Sequence, residues 1–245
     1  MLAFLKTIFY QPLFNILILL YNVIPGKDIG VAIILLTVII KLILWPLSNK
    51  ALASQRALAA LQPKVDALKK EYEGKSKEEL AKATMALYSA DKVSPLSSCL
   101  PVLIQLPVFI ALYSALRSGL ASKGFDALYP FVTNPGTIAP TLFGLVNLAV
   151  PSIALAILAG ITQFFQARMM VTKQQPKGVP GAQDEQTLAI MNKQMVYMMP
   201  FLTVFIGWRL PGGLALYWLT MNLLTIAQQM WFFRKRDGTV VVAGR

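Results

Sequence analysis

Long apolar stretches alternate with short polar ones along most of this chain. A helix rises about 1.5 Å per residue and the hydrocarbon core of a bilayer is about 30 Å thick, so most of these stretches are long enough to cross it. The pattern predicts an all-α, polytopic membrane protein with one domain, residues 1–245, and five transmembrane helices at residues 29–47, 96–116, 153–171, 195–208 and 214–233. The fourth is short, so we expect the bilayer to thin around it.

The N-terminal segment, residues 1–24, is also apolar, but it is interrupted at Lys6, Gln11, Pro12 and Asn15. Because the uninterrupted run that remains is short for a bilayer span, we predict a helix that lies at the membrane interface. A cleaved signal peptide is the alternative. The Gln11-Pro12 pair and the lack of a clear A-x-A cleavage site weigh against it.

Residues 48–95 have the pattern of a soluble segment. Apolar residues recur at three- and four-residue steps, as on one face of a helix, at Leu58, Leu61, Val65, Leu68 and Tyr72. Gly74 then suits a helix end, and Ser76 with Glu79 matches a capping box that starts a second helix. We predict a protruding helical hairpin that docks other molecules; a plain solvated connector is the alternative.

Composition agrees with a membrane protein, since 56% of the residues are hydrophobic and only 14% are charged. The formal net charge of +12 would suit a nucleic-acid-binding protein, but soluble proteins of that class do not carry several bilayer-length apolar runs. We therefore predict contact with anionic lipids and no direct nucleic-acid recognition. With one cysteine, Cys99, and no histidine, the chain is predicted to have no metal, no cofactor and no enzymatic activity.

The distribution of Lys and Arg between the predicted helices indicates the orientation in the membrane. Nine of them lie in residues 48–95, and others follow the third and fifth predicted helices. The opposite side holds only Lys6, Lys27, Arg117, Lys123 and Arg209. By the positive-inside rule, the N-terminus is predicted outside, and the hairpin and the C-terminus are predicted in the cytoplasm.

The eleven acidic residues all lie outside the predicted transmembrane helices. Proton- and cation-coupled transporters usually need carboxylates or histidines within the membrane, so this distribution disfavours that class. It also leaves Lys41, in the first predicted helix, without an acidic partner in the bilayer. Such a charge costs about 2.5–3.5 kcal/mol to insert, which favours a functional role; a snorkelling side chain near the helix end is the alternative.

Other polar residues also fall on defined helix faces. Thr37 shares one face of the first predicted helix with Lys41, and polar faces on the second, third and fifth include Gln105, Gln163 and Asn222 respectively. Polar faces on several helices are expected to turn toward one another. The residues alone leave open whether they form interhelical hydrogen bonds or line a water-filled cavity.

Several segments resemble a known family. These are VIIKLILWPLSNKAL, LQPKVDALKKEY, MALYSADKVSPLSSCLPVLIQLPVFIALYSAL, ITQFFQARMM and PGGLALYWLTMNLLTIAQQ. In this order they resemble the YidC family of membrane protein insertases, in a minimal bacterial form without the large outer domain of some relatives. The resemblance implies a location in the bacterial plasma (inner) membrane and a five-helix core. It also implies a hydrophilic groove that is open to the cytoplasm and to lipid and closed toward the outside.

Carried over position by position, the resemblance places the charge of this groove at Lys41, with Thr37 one turn earlier. It implies that the groove is lined by Gln105, Gln163, Tyr217 and Trp218, and Asn222 is added from the polar face described above. The usual groove residue of the family is arginine. Lysine keeps the charge but lacks the bidentate fork of arginine, so a contact made by Lys41 does not have bidentate geometry.

The function implied is the integration of small or single-span membrane proteins into the bilayer. No G-x-x-x-x-G-K-[ST] motif occurs, so insertion is predicted to proceed without ATP hydrolysis. The expected partners are nascent client chains and anionic lipids, and a ribosome and a Sec-type translocon are further candidates. An ion or small-solute channel or transporter that uses the same polar groove is the alternative, and a scaffold for membrane complexes is a third reading.

Overall fold

The computed structural model describes residues 6–91, 93, 100–170 and 196–237. A π-helical turn, Lys6–Tyr10, precedes the first α-helix. The α-helices are α1 (Gln11–Val23), α2 (Ile29–Ile43), α3 (Trp45–Glu71), α4 (Lys77–Ala90), α5 (Leu100–Leu120), α6 (Ile153–Met170), α7 (Val196–Gly207) and α8 (Gly212–Asp237). Between α5 and α6 lie a short 3₁₀ helix, Phe125–Ala127, and two antiparallel strands, β1 (Thr141–Leu142) and β2 (Val146–Asn147).

The predicted all-α class is confirmed, since only β1 and β2 form a sheet within the described residues. The described parts of the second to fifth predicted transmembrane segments each lie largely in one helix, although some ends differ by several residues, whereas the first is divided between α2 and α3. Parts of the prediction lie outside the described residues. These are residues 1–5 of the N-terminal segment, 92, 94 and 95 of the hairpin, 96–99 of the second predicted helix, 171 of the third and 195 of the fourth.

The first predicted transmembrane segment, residues 29–47, is bent rather than straight. Helix α2 ends before Leu44, and α3 starts at Trp45 with a proline in its first turn. Pro46 has no N–H to donate to the carbonyl of Leu42, and its ring would crowd that carbonyl, so a straight helix cannot continue through it. The axes of Ile29–Ile43 and Trp45–Leu58 differ in direction by 63°.

This bend affects how the membrane prediction compares with the structure. Within the described residues, no single helix combines the length and the apolar character that a bilayer crossing needs, whereas the bent pair formed by α2 and the start of α3 does so when taken together. Ile153–Met169 and Val196–Gly207 are apolar but shorter. The number of transmembrane helices therefore stays a prediction.

The hydrophobic core lies where α1, α2, α5 and α8 meet. Fully buried side chains in it include Phe14, Leu17, Ile18, Ile33, Leu112, Leu116 and Leu214. Helix α6 packs along α8, and α7 approaches α6 closely at Gly160. Helix α1 is thus part of the core, and its predicted position at the membrane interface stays a prediction.

The predicted helical hairpin is formed by α3 and α4. The capping box is present, since the Ser76 hydroxyl accepts from the Glu79 N–H (3.2 Å) and the Glu79 carboxylate accepts from the Ser76 N–H (3.4 Å). Leu61 and Val65 of the predicted apolar stripe are buried. Tyr88 of α4 lies near Asp66 of α3, where burial and, to a lesser extent, the Asp66 carboxylate raise the pKa of its hydroxyl.

We expect the substitution Ser76→Ala to destabilise the start of α4 by about 1 kcal/mol, because it removes the acceptor for the first-turn N–H of Glu79. Hydrogen exchange of the amides in residues 77–80 measures this as faster exchange. Ser89→Ala, at an exposed position in the last turn of the same helix, is the matched control and should leave those rates unchanged. Equal exchange in wild type and Ser76→Ala would show that the cap does not stabilise the hairpin.

Candidate functional site: polar contacts around the last helix

Lys41 lies in the last turn of α2, and its side chain is buried against α8. Only 6% of the residue is exposed, and its ammonium nitrogen donates to the hydroxyl of Thr225 at 2.8 Å. That hydroxyl in turn donates to the carbonyl of Met221 at 2.7 Å. No carboxylate within the described residues pairs with Lys41, so the cation is held by a neutral ligand.

Thr37 lies one turn before Lys41 and is fully buried. Its hydroxyl donates to the carbonyl of Ile33 at 2.7 Å, so this hydrogen bond stays within α2. A threonine that is satisfied by its own helix can break that bond and offer its hydroxyl elsewhere without leaving an N–H unpaired. Thr37 thus adds a second polar group to the face of α2 that carries Lys41.

Gln105, Tyr217 and Trp218 connect α5 to α8. The amide nitrogen of Gln105 donates to the hydroxyl of Tyr217, which is fully buried. The neighbouring Trp218 stacks on Phe109 of α5, with ring centroids 5.1 Å apart and ring planes 19° from parallel. All three residues, which the family resemblance placed in the groove, therefore lie at the interface between α5 and α8.

Asn222 and Gln163 place two further polar contacts on α6. The Asn222 amide donates to the carbonyl of Ala159 (2.9 Å) and to the hydroxyl of Thr162 (3.3 Å). Gln163 accepts a hydrogen bond from the hydroxyl of Thr203 on α7. Helix α6 is thus bonded through polar side chains to α8 on one side and to α7 on another.

The predicted polar faces therefore do turn toward one another. The predicted groove residues form separate interhelical contacts: Lys41 joins α2 to α8, Gln105 joins α5 to α8, Asn222 joins α6 to α8, and Gln163 joins α6 to α7. Three of these four contacts involve α8. The predicted groove residues therefore lie on α8 and on the helices near it. Within the described residues, they do not form one hydrogen-bonded cluster.

The predicted groove residues do not include Thr225 and Gln229, although both share the polar face of Asn222 in the fifth predicted helix, and sequence analysis did not select Gln228. Gln228 donates to the side-chain oxygen of Asn49 in α3 at 2.8 Å. Gln229 is fully buried, and both polar atoms of its amide lack a partner within the described residues. The signal was present, because Thr225 and Gln229 follow Asn222 at three and seven residues and so share its helix face.

Comparison with known proteins identifies the family. The family model described as "60Kd inner membrane protein" matches residues 19–239, which include every predicted groove residue. A protein named membrane protein insertase YidC from Fusobacterium nucleatum subsp. nucleatum is 33% identical over 208 residues, covering 85% of this chain and 87% of that relative. The chain belongs to the YidC family.

The YidC family is a family of inner membrane proteins, so the resemblance predicted from the sequence is confirmed. A second relative with the same name, from Syntrophobacter fumaroxidans, is 37% identical over 212 residues. That match covers 84% of this chain but only 34% of the relative. The chain therefore spans most of the length of one YidC relative and about a third of the length of the other.

Proposed function

We propose that this chain is a membrane protein insertase, which integrates small or single-span membrane proteins into the bilayer. The observation that carries the proposal is Lys41, a buried cation with a neutral partner, in a chain whose relatives are named insertases. A buried ammonium with one hydroxyl ligand is under-satisfied, since it has three N–H groups to donate. A polar or acidic segment of a client would supply the missing acceptors.

The proposed groove is lined by Lys41, Thr37, Gln105, Gln163, Tyr217, Trp218 and Asn222. In this proposal, the contacts between these helices, such as that from Lys41 to Thr225, are those of the groove without a client. A client segment that enters from the cytoplasm exchanges its own polar groups for these contacts. The amide oxygen of Gln228 and the amide of Gln229, which lack partners within the described residues, then lie at the mouth of the groove, and Gln228 is bonded to Asn49 at the base of the hairpin.

The driving force in this proposal is the transfer of the apolar client helix from water into lipid, without ATP hydrolysis. Burial of apolar surface contributes about 25 cal/mol per Å². A transmembrane helix of about 20 residues therefore has ample driving force, and the barrier lies in its polar end. A polar groove that extends partway through the bilayer lowers that barrier, because the segment keeps hydrogen-bonding partners along the way.

The proposed function is tested with purified protein in liposomes and a freshly translated single-span client. We expect the client to become protease-protected in these liposomes and to remain accessible in protein-free liposomes. The same liposomes, loaded with an ion-sensitive dye, test the channel alternative. Ion flux without client protection would replace the insertase proposal by a channel.

The proposed orientation has the N-terminus outside, with the C-terminus and the hairpin in the cytoplasm of a bacterial cell. The hairpin is then available to nascent clients, to a ribosome and to a Sec-type translocon. The orientation is supported by the excess of Lys and Arg in residues 48–95 over the opposite side.

We expect single cysteines in a Cys99→Ser background to report this orientation. Glu73→Cys lies in the exposed turn of the hairpin, and Thr137→Cys lies in the exposed loop between α5 and α6. An impermeant thiol reagent added to intact cells should label position 137 and leave position 73 unlabelled until the membrane is opened. Labelling of position 73 in intact cells would reverse the orientation.

A further inference from the structure

The two short strands β1 and β2 are joined by a tight turn with unusual backbone geometry. The N–H of Leu145 donates to the carbonyl of Leu142 at 3.0 Å, and the residues between them, Phe143 and Gly144, have φ angles of +51° and +70°. Positive φ at both central positions is the pattern of the type I′ hairpin turn. Glycine adopts it freely, whereas a bulky residue such as Phe143 is strained there.

Helix α2 holds this turn in place through its N-terminal end. One carboxylate oxygen of Asp28 accepts from the N–H of Val31 (2.9 Å) and so caps α2, while the other accepts from the N–H of Phe143. Leu142 packs directly on Gly30, where an added Cβ would lie 2.4 Å from its side chain and 3.0 Å from its backbone. The strained turn is therefore fixed to the first turn of α2.

The turn presents apolar side chains outward. Phe143 is 68% exposed and Leu145 is 86% exposed, and Phe131 and Val150 nearby in the chain are also exposed. Residues 128–152, which contain the turn, include no Asp, Glu, Lys or Arg. A water-facing loop usually carries charged residues, and strain maintained at an exposed aromatic side chain usually marks a functional contact.

We propose that the turn tip, Phe143–Gly144–Leu145, inserts into the interfacial region of the bilayer at the N-terminal end of α2. The chain belongs to an inner membrane protein family, and α2 is an apolar helix that begins beside the tip. In this proposal, α2 enters the bilayer at its N-terminal end, so the tip lies at the level of the membrane surface. Aromatic and aliphatic side chains without charge are those that partition into this region.

The inserted tip sets the depth of two helices at once. Asp28 connects it to the start of α2, and the same loop accepts the first N–H groups of α8: Gly212 donates to Val150 (2.9 Å) and Gly213 donates to Leu148 (3.0 Å). These two helices carry Lys41 and Thr225. This inference rests on membership of the membrane protein family and stands independently of the insertase function.

The test uses the full chain with Cys99→Ser and a single cysteine that carries an environment-sensitive fluorophore. Phe143→Cys and Leu145→Cys are the test positions, Glu73→Cys in the hairpin is the water control, and Leu223→Cys, exposed on α8, is the deep-lipid control. The protein is reconstituted in phosphatidylethanolamine and phosphatidylglycerol vesicles. Quenching is measured with nitroxides at the lipid headgroup, with nitroxides near the acyl-chain end, and with aqueous iodide.

At positions 143 and 145 we expect emission shifted to the blue of position 73, stronger quenching by headgroup nitroxides than by deep ones, and weak quenching by iodide. Position 223 should show the opposite nitroxide preference. Strong iodide quenching without nitroxide quenching at both test positions would place the tip in water and overturn the proposal. Protection from both quenchers would indicate a protein partner and would overturn it as well. Leu145 has no positive φ, so its variant keeps the test valid if Phe143→Cys alters the turn.

Discussion

Replacement of Lys41 by glutamate is expected to reduce insertion of clients with acidic tails by about tenfold or more. Two unit charges about 4 Å apart near a protein surface interact by about 4 kcal/mol, and 1.4 kcal/mol already corresponds to tenfold. Lys41→Glu converts attraction to an acidic tail into repulsion. The measurement is the protease-protected fraction of a client that carries none, one or two acidic residues in its translocated tail, at matched protein levels.

Three variants separate the charge of Lys41 from its structural contacts. Lys41→Arg keeps the cation and should retain insertion, because a transient contact with a client does not require bidentate geometry. Thr225→Val removes the described hydrogen-bond partner of Lys41 while the charge remains, so it should leave the dependence on acidic residues intact. Lys41→Ala should reduce insertion more steeply as the number of acidic residues rises. Equal loss for all three clients would show that Lys41 supports the fold or the hydration of the groove and does not attract the client.

The substitution Gly160→Leu is expected to separate α7 from α6. A Cβ at position 160 would lie 2.4 Å from the side chain of Val204 and 3.1 Å from the carbonyl oxygen of Pro200. Val204 is β-branched and stiff, and the carbonyl oxygen belongs to the backbone of α7, so neither can move away without displacing the helix. Overpacking of this kind costs about 1–3 kcal/mol, and here it also separates Thr203 from Gln163.

Thermal unfolding of the detergent-solubilised protein should show a lower transition temperature for Gly160→Leu than for wild type. Ile161→Leu, at an adjacent exposed position, changes shape without adding volume and should leave it unchanged. The pair Gly160→Ala and Val204→Ala makes the test specific. If close packing decides the effect, the double variant should be more stable than the sum of the two single effects predicts. Additive effects would contradict a direct contact between positions 160 and 204.

Part of the candidate site could be predicted from the sequence because its signal is local. Lys41 stands out as a charge in an apolar run, and Thr37, Asn222, Thr225 and Gln229 follow helical spacing, which one helix alone reveals. The partners of these residues do not have a local signal. Lys41 and Thr225 are separated by 184 positions in the chain, and only the packing of α2 on α8 brings them within 2.8 Å.

The β-turn at Phe143 likewise depends on residues that are distant in the chain, so its conformation could not be predicted from the local sequence. The uncharged segment around it lies between the second and third predicted transmembrane helices, and Asn147 and Pro151 interrupt its apolar run. The sequence of that segment does not predict a type I′ turn, because phenylalanine is unusual at the first central position of such a turn. The conformation depends on the Asp28 carboxylate and on the space above Gly30, both more than 100 positions away.

The sequence by itself determined the helical class, the positions of the apolar segments, the capping box at Ser76 and the polar faces, since each depends on residues within a few turns of one another. Tertiary structure alone decided how the polar faces pair around α8 and which of their groups lack partners among the described residues. It also decided that the apolar run 29–47 bends by 63° at Leu44. Periodicity specifies which face of a helix is buried, but the partner of that face depends on packing between segments far apart in the chain.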